Sequence, residues 1–590
     1  MKYAAACERI FLIPELLVLV CSYLTKREIL RLMVVSRNLH DVFFPVFYEH
    51  LNLRQSSVIL LNRTTFKSLI MSAPHVRKLI LDDEFLVMYS KGVVAFKKGI
   101  TADGDPCSMA AMPLSPMDQL SGLTYVSSNS LNPDVHTDDQ YRRVGRNFIR
   151  FCWVTEISPL LTRLSAGLLF ISNNHEPGAL ARTIGGLVHL RELKLNVVCS
   201  EALWSKLILG ITRHCPPLVQ EIQLVWTQVK FNHPNLLALV ELDEIDRDES
   251  PLPMPLEPLE HLTTLDLEGG QYYRSQDICP LLERCPRLTT LHPPPSAALD
   301  QILTATFISQ YCPRLRRIYR RKGNKEPYGS STFGVIVSTI PRNTLQHLLI
   351  GTNTGNDTHL CSLIPNHYES LTSVKFLGCR VLDRPTILGI LRNCAALEEF
   401  LVQGFDDYLW DASITIEEGA EKPWASNRIR VLELAVDFGV MNEFTYPKPP
   451  EEPSRRQLER RKQLENFYRR IAAQHLMTDL CLKVADKPQQ PGGRGKHYNQ
   501  FSLSSMLILQ LYHNPPYTQR TGYLALFSEM NQLRTLSGSF CALTFRRHNL
   551  ITTAEADWVR KHWPKFQSGY IGRLEAIAPE SSVFNKRPII

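Results

Sequence analysis

The chain has 590 residues, 44% of them hydrophobic and 21% charged, with a net charge of +8. That composition is globular rather than disordered, and the charge is too mild for its length to call for a nucleic-acid partner. Fourteen cysteines are spread without a Cys-x-x-Cys pair or zinc-ligand spacing, which points to reduced, buried thiols of an intracellular protein rather than a disulfide framework or metal site.

Near the start, "LLVLVC" resembles the apolar centre of a signal peptide, but Glu8, Arg9, Pro14 and Glu15 break it up and Thr25-Lys26-Arg27-Glu28 closes it early. No stretch reaches the roughly 18–20 apolar residues of a membrane span. The expectation is a soluble protein of the cytoplasm, the nucleus or both. From Pro14 the pattern predicts three short helices. Proline and Glu15 suit a first turn, with Leu16, Leu17, Val20 and Leu24 following. Thr25 with Glu28 three places on predicts a capping box opening a second helix with Ile29, Leu30, Leu32 and Met33. A third holds Leu39, Val42 and Phe43. About 40 residues bury too little surface to stand alone, so this unit either caps a larger fold or offers apolar faces to a partner.

These residues resemble the F-box family. The matching elements are Ile13-Pro14-Glu15-Leu16-Leu17, Val20, Ser22-Tyr23-Leu24, Ile29-Leu30 and Val34-Val35-Ser36-Arg37. Leu39 stands where the family has tryptophan, and Phe47-Tyr48 where it has Leu-Trp, so bulk is kept and indole is lost. The resemblance implies docking on a Skp-type adaptor, and through it on a cullin-RING ubiquitin ligase. The adaptor-binding residues it implies are Ile13, Pro14, Leu16, Leu17, Val20, Leu24, Ile29, Leu30, Val34 and Val35.

Farther along, "APHVRKLIL" (Ala73–Leu81) predicts a first strand. Residues 86–145 lose aliphatic periodicity and are dotted with proline and serine, predicting a low-order insertion; Ser115-Pro116 within it is either a phosphorylation site or a solvated loop serine. From Leu187 a repeat sets in, as in "LVHLRELKL" and "LEHLTTLDL". The first anchors Leu262, Leu288, Leu315, Leu345, Leu371, Leu397 and Ile429 stand 26 to 32 residues apart. Leu-x-x-Leu-x-Leu at that period marks a leucine-rich repeat, one strand and one helix per copy. "HCPPL", "RCPRL", "YCPRL" and "NCAAL" precede strands, placing Cys215, Cys285, Cys312 and Cys394 at the helix-to-strand turn, where proline stops the helix and a small thiol fits beneath; Cys279-Pro280 is expected to open a helix. The pattern resembles the cysteine-containing leucine-rich repeats that follow F-boxes.

"YPKPPEEPSRRQLERRKQLENFYRRIAAQ" (Tyr446–Gln474) predicts an amphipathic helix with Leu464, Phe467, Tyr468 and Ile471 inward and Arg455, Arg456, Arg460, Arg461 and Lys462 outside. That basic face is a solvated surface or a nuclear-import or acidic-partner patch. Pro488–His497 lacks phosphate-loop spacing and predicts a flexible loop. Weak strands return at "LMTDLCLKV", "SMLILQLYH" and "NQLRTLSG", and Ala556–Gln567 predicts a closing helix with Trp558 and Trp563 capping the last repeat.

The expected organisation is an α/β chain. An F-box-like helical domain (8–50) leads to a linker and first repeat (51–85), the insertion (86–145), and leucine-rich repeats (146–440) forming a curved parallel sheet lined by helices. The Pro-rich linker and basic helix (441–475) and the C-terminal repeats with a capping helix (476–590) follow. No catalytic motif stands out, no metal or cofactor is implied, and membrane or nucleic-acid partners are not expected. The expected function is substrate recognition for a Skp-cullin-F-box ligase, with Lys194, Asp266, Glu268, Arg317, Tyr319, His347, Lys375 and Glu399 projecting from the sheet toward a substrate protein. The rival reading is a repeat scaffold that never joins a ligase.

Overall fold

The computed structural model describes residues 13–53, 72–97, 117, 119–127, 138–228, 256–267, 273–294, 301–320, 332–351, 358–377, 382–403, 412–437, 454–484, 523–538 and 553–569. The chain divides into two compact units, Met1–Arg314 and Leu315–Ile590.

The first unit opens with three helices, α1 (Pro14–Cys21), α2 (Lys26–Met33) and α3 (Arg37–Tyr48). Pro14 takes a first-turn position of α1, where its missing N–H loses no bond. Thr25 and Glu28 form the capping box of α2, and the Ser36 hydroxyl accepts the Leu39 N–H at 3.2 Å to start α3. Leu17, Cys21, Ile29, Met33, Leu39 and Phe43 close into a small common core. Beyond α3, the Glu49 carbonyl accepts N–H bonds from Arg77 and Lys78 at 3.0 and 2.9 Å, tying the helices to the sheet.

That sheet runs β1 (His50–Leu53), β2 (Lys78–Leu81), β3 (Gly122–Val126), β4 (Arg163–Phe170), β5 (Glu192–Cys199), β6 (Glu221–Gln228), β7 (Thr264–Asp266) and β8 (Thr290–His292). Each strand pairs in parallel with the next, so His50, Lys78, Gly122, Arg163, Glu192, Glu221, Thr264 and Thr290 form one row. Helices such as His175–Gly185 and Glu201–His214 make the crossovers that parallel strands require. The inward positions Leu79, Leu123, Leu164, Leu193, Ile222, Leu265 and Leu291 are all buried.

One backbone device fixes this register. The carbonyl just before each strand accepts two successive N–H groups from the following copy: Arg77 from Ser121 and Gly122, Ser121 from Thr162 and Arg163, Gln220 from Thr263 and Thr264. A hydroxyl adds a third bond where the sequence supplies one, with Thr162 Oγ1 donating to Ser121 at 3.0 Å and Thr263 Oγ1 to Gln220 at 3.2 Å. The second unit repeats the device at Thr372, whose Oγ1 reaches the Gln346 carbonyl at 3.1 Å, and at Thr478, which reaches Arg430 at 3.1 Å.

The second unit carries β9 (Arg317–Arg320), β10 (His347–Ile350), β11 (Ser373–Leu377), β12 (Glu399–Gln403), β13 (Ile414–Thr415), β14 (Val431–Asp437), β15 (Asp479–Val484), β16 (Thr535–Gly538) and β17 (Ser568–Gly569). These too pair in parallel and in sequence, except that β14 takes β12 along its first half and the short β13 along its second. The helix Arg455–Ala472 buries Leu464, Phe467, Tyr468 and Ile471, the face its spacing predicts. Trp563 is buried, and its indole N–H donates to the Phe527 carbonyl at 3.1 Å. Each unit is thus a parallel α/β run of leucine-rich repeats.

The sheet begins earlier than the sequence suggests. β1 stands one copy before the strand expected at Ala73–Leu81, and the expected insertion 86–145 contains most of the helix Asp83–Lys97 and all of β3, which pairs on both sides. "GLTYV" is short and begins with glycine, so its alternation was too weak to stand out. A Cβ at Gly122 would come within 3.3 Å of Lys78 Cγ, a tight contact that a small shift of that side chain relieves. Pro280 lies inside the helix Ser275–Glu283 instead of opening it. The expected strand "SMLILQLYH", Ser115-Pro116 and Pro488–His497 fall outside the described residues.

Cys215 and Cys394 end their helices, their N–H groups donating to the Ile211 and Ile390 carbonyls at 2.8 and 3.0 Å. Burial pushes the Cys215, Cys312 and Cys394 thiols up to about 12 and Cys285 well above its ordinary range. Cys285 lies near enough to Cys215 and Cys312, on the neighbouring copies, to interact with both. Among the described residues, no three His, Cys, Asp or Glu side chains gather as metal ligands, and no helix is long and apolar enough to cross a membrane.

Candidate functional site

The three-helix module sorts its apolar residues into two classes. Leu17 and Cys21, four apart on α1, point into the core at 2% and 3% exposure. Leu16, Leu19, Val20 and Tyr23 recur at intervals of three and four on the other side and remain open, Leu19 at 56% and Tyr23 at 83%. On α2, Ile29 and Met33 are buried while Leu30 is half exposed, and Val34 and Val35 just beyond it stand 82% and 70% exposed. A fold of this size in water has no packing reason to leave so many large aliphatic groups exposed on adjacent turns.

Of the residues expected to meet an adaptor, Ile13, Pro14, Leu16, Val20, Leu30, Val34 and Val35 are exposed and Leu24 is partly buried against the core. Leu17 and Ile29 are corrected: both belong to the module's own core and reach no partner without unpacking it. Val18, Leu19 and Tyr23 join the open surface instead. The helical angle relative to Leu17 and Cys21 was the signal for Leu19 and Tyr23. It was hard to use because α1 is apolar nearly all round.

The residues expected to meet a substrate are divided between the two units. Lys194 and Asp266 belong to the first unit, and Arg317, Tyr319, His347, Lys375 and Glu399 to the second. Glu268 lies outside the described residues. Lys194 pairs with Glu221 at 2.8 Å, one strand over, next to the Arg163–Glu192 pair at 2.9 Å. Asp266 is corrected from an outward contact to a buried one, 6% exposed with His292 Nδ1 3.8 Å away. Gln223 and His292 flank it on β6 and β8, and Tyr273 lies near enough to interact with it.

In the second unit, Arg317, His347, Ser373 and Glu399 form one row across β9 to β12, and Tyr319, Leu349, Lys375 and Leu401 the next. Lys375 Nζ meets Glu399 at 2.8 Å, and the Ser373 hydroxyl donates to the same carboxylate at 2.8 Å. Burial alone pushes Glu399 up, but these two bonds outweigh it and hold the carboxyl below its usual range. Burial, then Arg317, lowers His347, so the ring is neutral near pH 7. The arrangement sets half-buried Tyr319, Leu349 and Leu401 among the charges of Arg317, Lys375 and Glu399.

No family model matches the chain, and no curated protein does. Among solved structures, the yeast complex of Rad7 and Elc1 is similar over 52% of this chain and 76% of that one, at 14% identity and a TM-score of 0.24. The TLR13–ssRNA13 complex is similar over 72% and 74%, at 10% identity and a TM-score of 0.23. These superpositions are too loose to carry an argument, and the fold rests on the chain's own strand register.

Proposed function

We propose that this chain is the substrate-recognition subunit of a Skp-cullin-F-box ubiquitin ligase. Its N-terminal module acts as an F-box that docks on a Skp-type adaptor, and its repeats hold a substrate protein. The observation that carries the reading is the apolar surface of that module that stays open among the described residues, from Ile13 through Leu16, Leu19 and Val20 to Val34 and Val35. The order of residues from Ile13 to Arg37, similar to the F-box pattern, says which kind of surface covers it. No chemistry is assigned to this chain. Its contribution is proximity, since a substrate held beside a ubiquitin-loaded enzyme reacts as though at high local concentration.

Full-length protein mixed with purified Skp-type adaptor and cullin tests this. The wild type is expected to co-elute with both. Pro14→Asp with Leu16→Asp is expected to abolish co-elution, because both side chains are exposed and a charge buried in an apolar interface without a partner is strongly unfavourable. Hydrogen exchange in β4 to β6 should stay unchanged. A wild type that ignores the adaptor refutes the reading and leaves a repeat scaffold without a ligase.

A further inference from the structure

α2 places two kinds of residue on its open side. Ile29 and Met33 point into the core, and at about 100° per residue Arg27, Leu30, Arg31 and Val34 fall on the opposite face. All four are exposed, as is Arg37 at the start of α3. Apolar and guanidinium groups therefore alternate along one line.

Lys26, Glu28 and Asp41 lie nearby and make contacts within the module, and Glu28 also lies close enough to Arg31 to interact with it electrostatically. Lys26 Nζ donates to the His50 carbonyl and rests 5.7 Å from the centre of the Phe47 ring. The Glu28 carboxylate accepts from the Thr25 N–H and hydroxyl at 2.7 Å each. Asp41 meets the His40 ring at 3.2 Å. Lys26, Arg27, Arg31 and Arg37 outnumber Glu28 and Asp41, so the described charge here is net positive.

We infer that the surface docking on α2 is an apolar cleft bordered by carboxylates set to meet Arg27, Arg31 and Arg37. This rests on the adaptor-docking reading and adds the chemistry of the partner's rim. A purely apolar cleft would strip water from guanidinium groups and give nothing back, whereas carboxylates return charge-assisted bonds and speed encounter. An anionic lipid surface has the same charge, but a membrane-lying helix keeps its basic residues on a face apart from its apolar one. Here Leu30 and Val34 share one face with Arg27 and Arg31, so apolar and basic residues are not segregated.

Association kinetics of the full-length chain with purified Skp-type adaptor test the inference. Wild-type association should slow as salt rises from about 50 mM to about 500 mM, as the Debye length shrinks. The pair Arg27→Gln, Arg31→Gln should associate about tenfold more slowly at low salt and lose most salt dependence. Arg27→Lys with Arg31→Lys should restore most of the rate, and Leu30→Asp should abolish binding. Equal low-salt rates for wild type and the Gln pair, with binding intact, overturn the inference and leave adaptor docking standing. Failure of the wild type to bind adaptor at any salt overturns the docking reading itself. Binding to phosphatidylserine vesicles in place of the adaptor, lost in the Gln pair, assigns the face to a membrane and overturns the inference.

Discussion

Replacing Phe43 with alanine separates what holds the N-terminal module together from what it presents. Phe43 is 1% exposed at the centre of the six-residue core. A buried phenylalanine removes about 150–250 Å² from water, worth about 4–6 kcal/mol at about 25 cal/mol per Å². The denatured chain already hides part of that area, so the expected loss is about 3–5 kcal/mol. At about 0.05–0.15 kcal/mol per residue, the three helices' share of the first unit's stability is only about 2–5 kcal/mol. Phe43→Ala should therefore open the module in most molecules. Leu30, 51% exposed, keeps only about half of a leucine's burial, and Leu30→Ala should cost about 1 kcal/mol or less in stability. The assay is hydrogen exchange, read on peptides covering 14–48 and on β4 to β6 in the same molecules. Phe43→Ala should abolish protection in the first and spare the second, while Leu30→Ala should keep both and weaken adaptor binding. Full protection of 14–48 in Phe43→Ala would refute the reasoning, because the core would then not be what holds the helices.

Four further outcomes are expected. Thr372→Val removes the hydroxyl bond to the Gln346 carbonyl and should lower the second unit's urea midpoint by an amount equivalent to about 0.5–1.5 kcal/mol. Gly210→Ala should destabilise the first unit by about 1–3 kcal/mol in thermal unfolding, because the new Cβ would meet Ala181 Cβ at 2.8 Å. Cys215, Cys285, Cys312 and Cys394, whose thiols burial holds protonated, should resist iodoacetamide at neutral pH in the folded chain and react once it is denatured, as mass spectrometry will show. The bonds from Thr25 hold Glu28 below the ordinary carboxylate range. Its folded-state pKa is thus depressed, so its stabilisation of α2 is complete above the unfolded value and is lost as pH falls through the folded one. Amide protection in α2 should drop on acidification, and Thr25→Ala should remove that pH dependence.

Much of the repeat array was legible because it rests on short-range chemistry. Leu-x-x-Leu-x-Leu at a period near 26, cysteine at the helix-to-strand turn and the Thr25–Glu28 box are each read within a few residues, and the fold uses each where the spacing places it. The threonine or serine ahead of the strands, at Ser121, Thr162, Thr263, Thr289, Thr372 and Thr478, was equally visible, but its bond to the preceding copy has meaning only once the copies stack. β3 is weakly marked for a related reason: five residues alternating weakly become a strand because β2 and β4 hold them from both sides.

What sequence settled by itself was where apolar groups recur, and so which segments become helices and strands. It did not settle which apolar groups stay in water. Leu16 and Leu17 are the same residue side by side, and a rotation of about 100° sends one to the surface and the other into the core. That division depends on how three helices lean on one another, an outcome of packing that neighbours in the chain do not encode.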